Sequence, residues 1–296
     1  MNSTFQLEYC ILDCNLYCRH KCGEINLPQK TIMHNHDGYE ILLYLGGDVS
    51  LFVESEEKKL ERGDLVLFNA YAFHGISARN KESYERVTLD FRTEFLKSVC
   101  DEETDLSACF RRVPPRRLNL VHLDEPAIEE YVRIASVIEE HLRNPQYGSD
   151  ILIRSLFSIL MIITNRHMDA YDTPEYSSIM PPVVAKTFHY ISDHLTTYFT
   201  VEDIACELHH NSAYLNRAFK QVTGCSLKQF ISAKKISLAQ QYLAQGYAPY
   251  DVCFMVGYNN YSSFSRQFSE QLRISPKQFQ LKFRSGYTGG LRGTEE

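Results

Sequence analysis

The sequence predicts an α+β chain of two domains, a β-rich N-terminal half with flanking helices and an all-α C-terminal half. Three observations predict it. From Glu40 to Phe91 short apolar runs alternate with Gly-rich and charged turns, the pattern of a small antiparallel barrel or sandwich. From about 124 to 168 the apolar residues switch to helical spacing. In the last third one peptide pattern occurs twice, 49 residues apart: Leu215-Asn216-Arg217-Ala218-Phe219 matches Phe264-Ser265-Arg266-Gln267-Phe268, and Ser226-Leu227-Lys228-Gln229-Phe230 matches Ser275-Pro276-Lys277-Gln278-Phe279. A shared offset in two separated blocks means one supersecondary unit used in tandem.

In the β-rich half, Glu40 to Leu45 forms an apolar run that Gly46-Gly47-Asp48 closes. Val49 to Val53, Leu65 to Phe68 and Arg86 to Phe91 supply further strands, with turns at Ser55-Glu56-Glu57-Lys58 and Gly63-Asp64. Asp124 is placed to cap a helix with Pro126 in its first turn, and Ile128, Tyr131, Val132, Ala135, Ile138 and Leu142 share one face. A second helix, capped by Ser149 or Asp150, carries Leu152, Leu156, Ile159, Leu160 and Ile163 on one side and Ile153 and Phe157 nearby. Its apolar surface is wider than one stripe, which fits packing on the β half or a subunit interface. Residues 169–182, polar with three prolines, read as a linker. The domains are therefore expected at 1–168 and 183–286.

Each C-terminal copy reads as helix, tight turn, helix, the geometry that lays a helix into a DNA groove. In the first copy Thr200 is expected as N-cap, Ile204, Ala205 and Leu208 as the buried face, Asn211 in the turn at positive φ, and Ser212 as the next cap. Leu215 and Phe219 face inward, and the helix stops at Gly224. That leaves Ala213, Tyr214, Asn216, Arg217 and Lys220 for DNA. In the second copy Val252, Cys253 and Val256 point inward, Gly257 supplies the turn, and Asn259 or Asn260 caps a helix with Phe264 and Phe268 inside. Tyr261, Ser262, Ser263, Ser265 and Arg266 remain for DNA. Leu227 to Leu243 connects the copies as one helix about 25 Å long.

The net charge of −6 is split. Residues 181–296 carry 12 Lys/Arg and 8 Asp/Glu, a balance of +4, whereas residues 1–180 carry 19 and 29, a balance of −10. Only the C-terminal half suits an anionic partner. The N-terminus lacks a basic-then-apolar signal, and the longest apolar run, Ile159 to Ile163, is too short to cross a bilayer. A cytoplasmic protein with no membrane partner is expected. Cys10, Cys14, Cys18 and Cys22 are spaced by four. On a strand such neighbours stand about 13 Å apart, too far to share one tetrahedral ion.

His34, His36 and Glu40 share parity, so a regular strand aims them at one face, and His74 follows the next hairpin. Such a set can bind a transition metal. It can equally line an effector pocket without metal, with Tyr44 as a further polar contact, or sit in the core with no ligand role.

Residues about 185–284 resemble the DNA-binding domain of the AraC/XylS family of transcription regulators. The matching segments are Ile204-Ala205 through Leu208, Ser212 through Gly224, Lys235-Ile236 through Ala239, and Val256-Gly257-Tyr258 through Ser275-Pro276. Arg273 stands where that family usually has Gly, and Cys253 where it usually has Ala. His34-x-His36 followed by Glu40 resembles the first cupin motif, while Gly63 and His74 keep the spacing of the second with Asn69 and Tyr71 replacing its Pro and Gly. The resemblance implies a cupin-like β-barrel that senses a small molecule and dimerises; the His, Tyr and carboxylate groups suit the hydroxyls of a sugar. It also implies a tandem helix-turn-helix domain in which Asn216, Arg217, Ser262 and Arg266 reach bases and Lys220 holds a phosphate. Double-stranded DNA, an effector, RNA polymerase and a second copy of the chain are the expected partners, with no cofactor and no enzymatic activity; activation is the expected output. The alternatives are a cupin metalloenzyme with a DNA-binding tail, and a dimeric regulator that needs no ligand.

Overall fold

In the computed structural model, residues 8–10, 15–24, 32–36, 38–53, 56–70, 72–78, 83–113, 118–170 and 181–284 are described. The chain forms two compact units, one built from Ile11–Gln29 and His36–Ser177, the other mainly from Ser178–Thr288.

The N-terminal half runs β1 (Glu8–Cys10), β2 (Leu16–Glu24), β3 (Ile32–His36), β4 (Tyr39–Gly46), β5 (Val49–Val53), β6 (Glu56–Lys59), β7 (Asp64–Phe68), β8 (His74–Ala78), β9 (Ser83–Phe91), α1 (Thr93–Lys97), a 3-10 turn (Ala108–Arg111), β10 (Asn119–His122), α2 (Glu125–Arg143) and α3 (Ser149–Ala170). The strands make two five-stranded sheets, ordered β1-β3-β8-β5-β6 and β10-β7-β4-β9-β2. Of the barrel and sandwich expectations, two separate sheets realise the second.

Strand parity sorts the second sheet onto two cores. Leu42, Tyr44, Val66, Phe68, Tyr84 and Leu120 cluster with Val49, Leu51 and Val53 of the first sheet. Ile41, Leu43, Leu65, Leu67, Val87, Leu89 and Phe91 cluster with α2 and α3. Strands β4 and β7, buried on both faces, read as near-continuous apolar runs for this reason.

Asp124 caps α2 by accepting from the Ala127 N–H at 3.0 Å. The buried face of α2 uses Ile134 rather than Val132, which is half-buried. Helix α3 departs further from expectation. Its buried stripe is Ile153, Phe157, Leu160, Met161 and Met168, while Ile151, Leu152 and Ile159 are exposed. Both faces are apolar, so periodicity alone leaves the choice open. The inner side carries Phe157, whose ring meets Phe91 and Phe95 edge-on at 4.8 and 5.0 Å. By length and composition Ser149–Met168 is long and apolar enough to span a membrane, but the stripe it buries belongs to the core shared with α2.

Cys18 lies in that core and donates to the Ala135 carbonyl, whereas Cys22 is exposed at the far end of β2. Cys14 and residues 171–180 of the expected linker lie outside the described residues. Asp169 and Ala170 belong to α3, and Pro182 opens the next helix.

Residues 181–284 are all helix in their regular elements: α4 (Pro182–Asp193), α5 (Val201–Glu207), α6 (Ser212–Thr223), α7 (Leu227–Ala244), α8 (Pro249–Met255), α9 (Tyr261–Leu272) and α10 (Pro276–Arg284). It has two cores at the two ends of α7. Phe188, Phe219 and Phe230 meet at one end, with ring centroids 4.9 to 5.2 Å apart. Ile236, Ala239 and Leu243 join Val252, Cys253, Val256, Phe264, Phe268 and Phe279 at the other.

Candidate functional site

Helix α5 begins with a capping box in which Thr200 and Asp203 satisfy each other's backbone N–H. After it, His209 takes φ 54 and the His210 N–H closes the turn on the Ala205 carbonyl at 2.9 Å. The positive φ expected at Asn211 is therefore at His209. Asn211 is instead the N-cap of α6, its side chain accepting from the Ala213 and Tyr214 N–H groups, in place of the expected Ser212. An amide oxygen is worth more at a cap, where unpaired N–H groups point, than in mid-turn.

Leu215, Phe219 and Thr223 are the buried side of α6. Ala213, Tyr214, Arg217 and Lys220 form an exposed stripe at helical spacing. Asn216 is not on that stripe. It is half-buried, and its Oδ1 accepts the Leu227 N–H at 2.9 Å. That bond ties α6 to α7.

The second copy repeats the plan with a turn one residue longer. Gly257 takes φ 71, Tyr258 N–H closes on the Cys253 carbonyl at 3.0 Å, and Asn260 caps α9 by accepting from Ser263 N–H. Phe264, Phe268 and Leu272 point inward. Ser262 and Arg266 are exposed, and Tyr261, Ser263 and Ser265 are half-buried. Arg266 stands 3.9 Å from Glu270 on the same helix. Helix α6 ends at Gly224 with φ 79 and α9 ends at Arg273 with φ 60, so the arginine makes the same left-handed cap.

In the first unit, strand parity turns Glu40 toward the interior between the sheets, on the same side as Leu42 and Tyr44. Its Oε2 lies 2.9 Å from Nε2 of both His36 and His74. Possible ligand atoms of His34, His36, Glu40 and His74 all fall within 4.8 Å of one another, with the last three buried and His34 half-buried. Nδ1 of His36 faces the Gly38 carbonyl at 2.9 Å and Nδ1 of His74 faces the Ala72 carbonyl at 3.0 Å. Carbonyls only accept, so each Nδ1 carries a proton and each Nε2 is turned on the carboxylate. Two imidazole lone pairs and a carboxylate need a proton or another cation between them. Burial alone would lower the His36 pKa, but the hydrogen bond and charge of Glu40 outweigh it and hold it at about 9. Burial would raise Glu40, and His74 and His36 hold it well below the usual carboxylate range.

Asp90 was missed by motif reasoning. It pairs with Glu40 directly across β4 and β9. Enclosure and the Glu40 carboxylate push it up to about 7, against the pull of His36 and Arg86. The available signal was alternation in β9, where an acid stands between Leu89 and Phe91 and faces the opposite side from both. Tyr44, on the same interior side, donates its hydroxyl to the Gly47 carbonyl at 2.7 Å, and its ring meets Tyr84.

A sandwich unit with a buried polar cluster, followed by two capped helix-turn-helix units, defines a ligand-controlled DNA-binding regulator. By its two family matches the chain is similar to AraC-type transcription regulators. The AraC-like ligand binding domain family matches residues 23–151, and the helix-turn-helix domain family matches residues 204–282. The probable transcriptional regulator LumQ of Photobacterium leiognathi is 22% identical over 87% of this chain and 95% of its own length. The uncharacterized HTH-type transcriptional regulator YbfI of Bacillus subtilis is 24% identical over 80% of this chain and 82% of its own. Among solved structures, ToxT of Vibrio cholerae aligns over 89% of this chain and 98% of its own at 14% identity, with a TM-score of 0.35.

Proposed function

We propose that α6 and α9 read two neighbouring major-groove segments of one promoter and that a small molecule acting at the His36–Glu40–His74 cluster controls the output. The observation that carries this reading is the pair Arg217 and Arg266, 49 residues apart in sequence, at one register of two capped helices and both exposed. Ala213, Tyr214 and Lys220 flank the first arginine, and Tyr261, Ser262, Ser263 and Ser265 flank the second.

A polyhydroxy effector such as a sugar suits the cluster, since hydroxyls donate to Glu40 and accept from protonated imidazoles. The chain acts in the cytoplasm, without enzymatic activity, and contacts RNA polymerase as an activator. The exposed side of α3, with Ile151, Leu152 and Ile159, joins a second copy.

A second reading has one observation in its favour. Both Nδ1 atoms are tied to backbone carbonyls, the arrangement that fixes imidazoles as metal ligands through Nε2. His34, His36, Glu40 and His74 fit a divalent transition metal in kind and number. Elemental analysis of protein purified without added metal separates the two. Metal at one per chain, lost in His74→Ala, favours the ion; its absence, with thermal stabilisation by a sugar, favours the organic effector. The DNA reading is tested by enriching a random duplex library on the full chain at physiological salt. Two recurring sequence blocks are the expected result, and a pool left random overturns it.

A further inference from the structure

The two helix-turn-helix halves have separate cores at opposite ends of α7. A cleft of about 520 Å³ lies between them, lined by Thr200 and Glu202 from the first half, Lys228 and Ser232 from α7, and Asn259 and Gln267 from the second. Apart from the shared helix α7, apolar packing therefore does not fix the separation of α6 and α9. Something local must, because a one-base-pair error displaces a reading helix by about 3.4 Å and rotates it by about 35° around the duplex.

Lys235, on α7 and 5% exposed, stands where the halves meet. Its Nζ donates to the Thr197 carbonyl at 2.7 Å and the Gly257 carbonyl at 2.8 Å. Thr197 belongs to the loop that leads into the α5 cap, and Gly257 is the left-handed residue of the second turn. The ammonium also lies 4.9 Å from the Phe199 ring and 5.7 Å from the Tyr258 ring, one aromatic from each half. The backbones touch without a spacer: a Cβ at Gly257 would overlap the Thr197 carbonyl. Side-chain bonds then carry the junction to the readers. Gln267 of α9 accepts from Ser232 of α7 at 2.6 Å and from Tyr258 at 3.0 Å. Asn216 of α6 accepts from the first N–H of α7.

We propose that Lys235 is a positioning residue that sets the separation of the two reading helices and thereby selects the spacing between the two half-sites on DNA. One ammonium holding a carbonyl from each half turns two separately packed readers into a ruler of fixed length. The inference rests on the DNA reading of α6 and α9 and adds to it a spacing determinant that touches no base.

The test is the same selection from a random duplex library, run on the full chain and on Lys235→Met, which keeps an unbranched side chain one atom shorter and removes its donors. The wild type is expected to enrich two blocks at one separation. The variant is expected to enrich the same two blocks, with its preference over separations one base pair longer or shorter falling about tenfold. A merely structural lysine would lower the melting temperature and weaken all duplexes alike, without spreading the separation. If Lys235→Met does not fold, Lys235→Gln, which keeps one donor group, takes its place. A folded variant that retains the single wild-type separation, or that loses the blocks themselves, overturns the inference. A wild-type chain that enriches no blocks overturns the DNA reading and this inference together.

Discussion

Asn216 and Leu227 are joined by a hydrogen bond of 2.9 Å from the Leu227 N–H to the Asn216 side chain. The corresponding pair in the second copy is Ser265 and Pro276. Proline has no N–H, so the acceptor is unnecessary there, and the residue that would supply it has shrunk to serine. The difference between the copies follows from a single backbone donor. Asn216→Ala is therefore expected to act on stability, costing about 1–2 kcal/mol by leaving that N–H without its partner. Ser265→Ala is expected to cost less than about 0.5 kcal/mol. Calorimetry of both variants checks this, and equal losses would contradict it.

The boundary between what was legible and what was not follows from the range of the interactions. Helix caps at Thr200, Asp124 and Asn260, the inward aromatics Phe219 and Phe268, and the length of α7 are local consequences of periodicity and termini, and the sequence displays them. The differences at Asn211 and Ser212 are shifts of two residues for the positive φ and one for the cap, inside a turn where two polar residues compete for one cap. The contacts of Asn216, Lys235 and Asp90 were not legible because their partners, Leu227, Thr197 with Gly257, and Glu40, come from other elements. No period in the chain announces which backbone group a side chain will meet. The outward face of α3 was misassigned for a related reason: with apolar residues on both sides, only the shape of the sheet decides which side is covered.

Arg273 occupies the left-handed cap of α9 at φ 60, which an L-residue with a Cβ adopts at a cost. Glycine removes the strain while adding freedom to the unfolded chain. The balance predicts that Arg273→Gly stabilises the helical unit by roughly 0.5–1 kcal/mol. Gly224→Ala, at the matching cap with φ 79, is expected to destabilise it by about 1 kcal/mol. Opposite signs in thermal melts are the expected result; a loss in both would show that the arginine side chain holds something the cap alone does not explain.

Glu40 is the common partner of His36 and His74 and faces Asp90 across the strand pair. Removing it strands two buried imidazoles whose Nε2 atoms point at an empty place. Glu40→Ala is expected to cost the sandwich unit about 3–5 kcal/mol, the loss typical of a broken buried pair. Asp90→Asn removes the acid that opposes Glu40 and should leave the unit as stable as wild type or more so at neutral pH. The transition of the helical unit serves as the internal control in calorimetry of the full chain. Comparable destabilisation by both substitutions would mean that Asp90, too, is needed as a charge.

Burial lowers Lys235 from its ordinary value near 10.5 to about 8. The folded state therefore binds this proton less tightly than the unfolded chain does. The contribution of the residue to stability is fully present above about pH 10.5 and is lost as pH falls through about 8. The neutral amine still has two N–H groups for the Thr197 and Gly257 carbonyls. The difference in melting temperature between wild type and Lys235→Met should accordingly widen from pH 7 to pH 10 in favour of wild type. A difference that does not change across this interval would mean that the ammonium titrates in the folded state as it does in water.

Arg217 and Arg266 share a register but not a starting point. The guanidinium of Arg266 lies 3.9 Å from Glu270, both side chains well exposed. Reaching a base edge requires leaving that carboxylate, and an exposed pair of this kind is worth at most about 1 kcal/mol. A bidentate contact with guanine is worth about 1–3 kcal/mol. The base contact wins, so each of Arg217→Ala and Arg266→Ala should weaken binding to a selected duplex by about 1–3 kcal/mol and relax sequence preference within one block only. Glu270→Gln removes the competing carboxylate and one repelling charge near the phosphates. It should tighten binding severalfold at low salt, an advantage that fades as salt screens the charge. Competition titrations at two salt concentrations measure all three variants. Unchanged affinity in both arginine variants would show that these helices do not read the duplex.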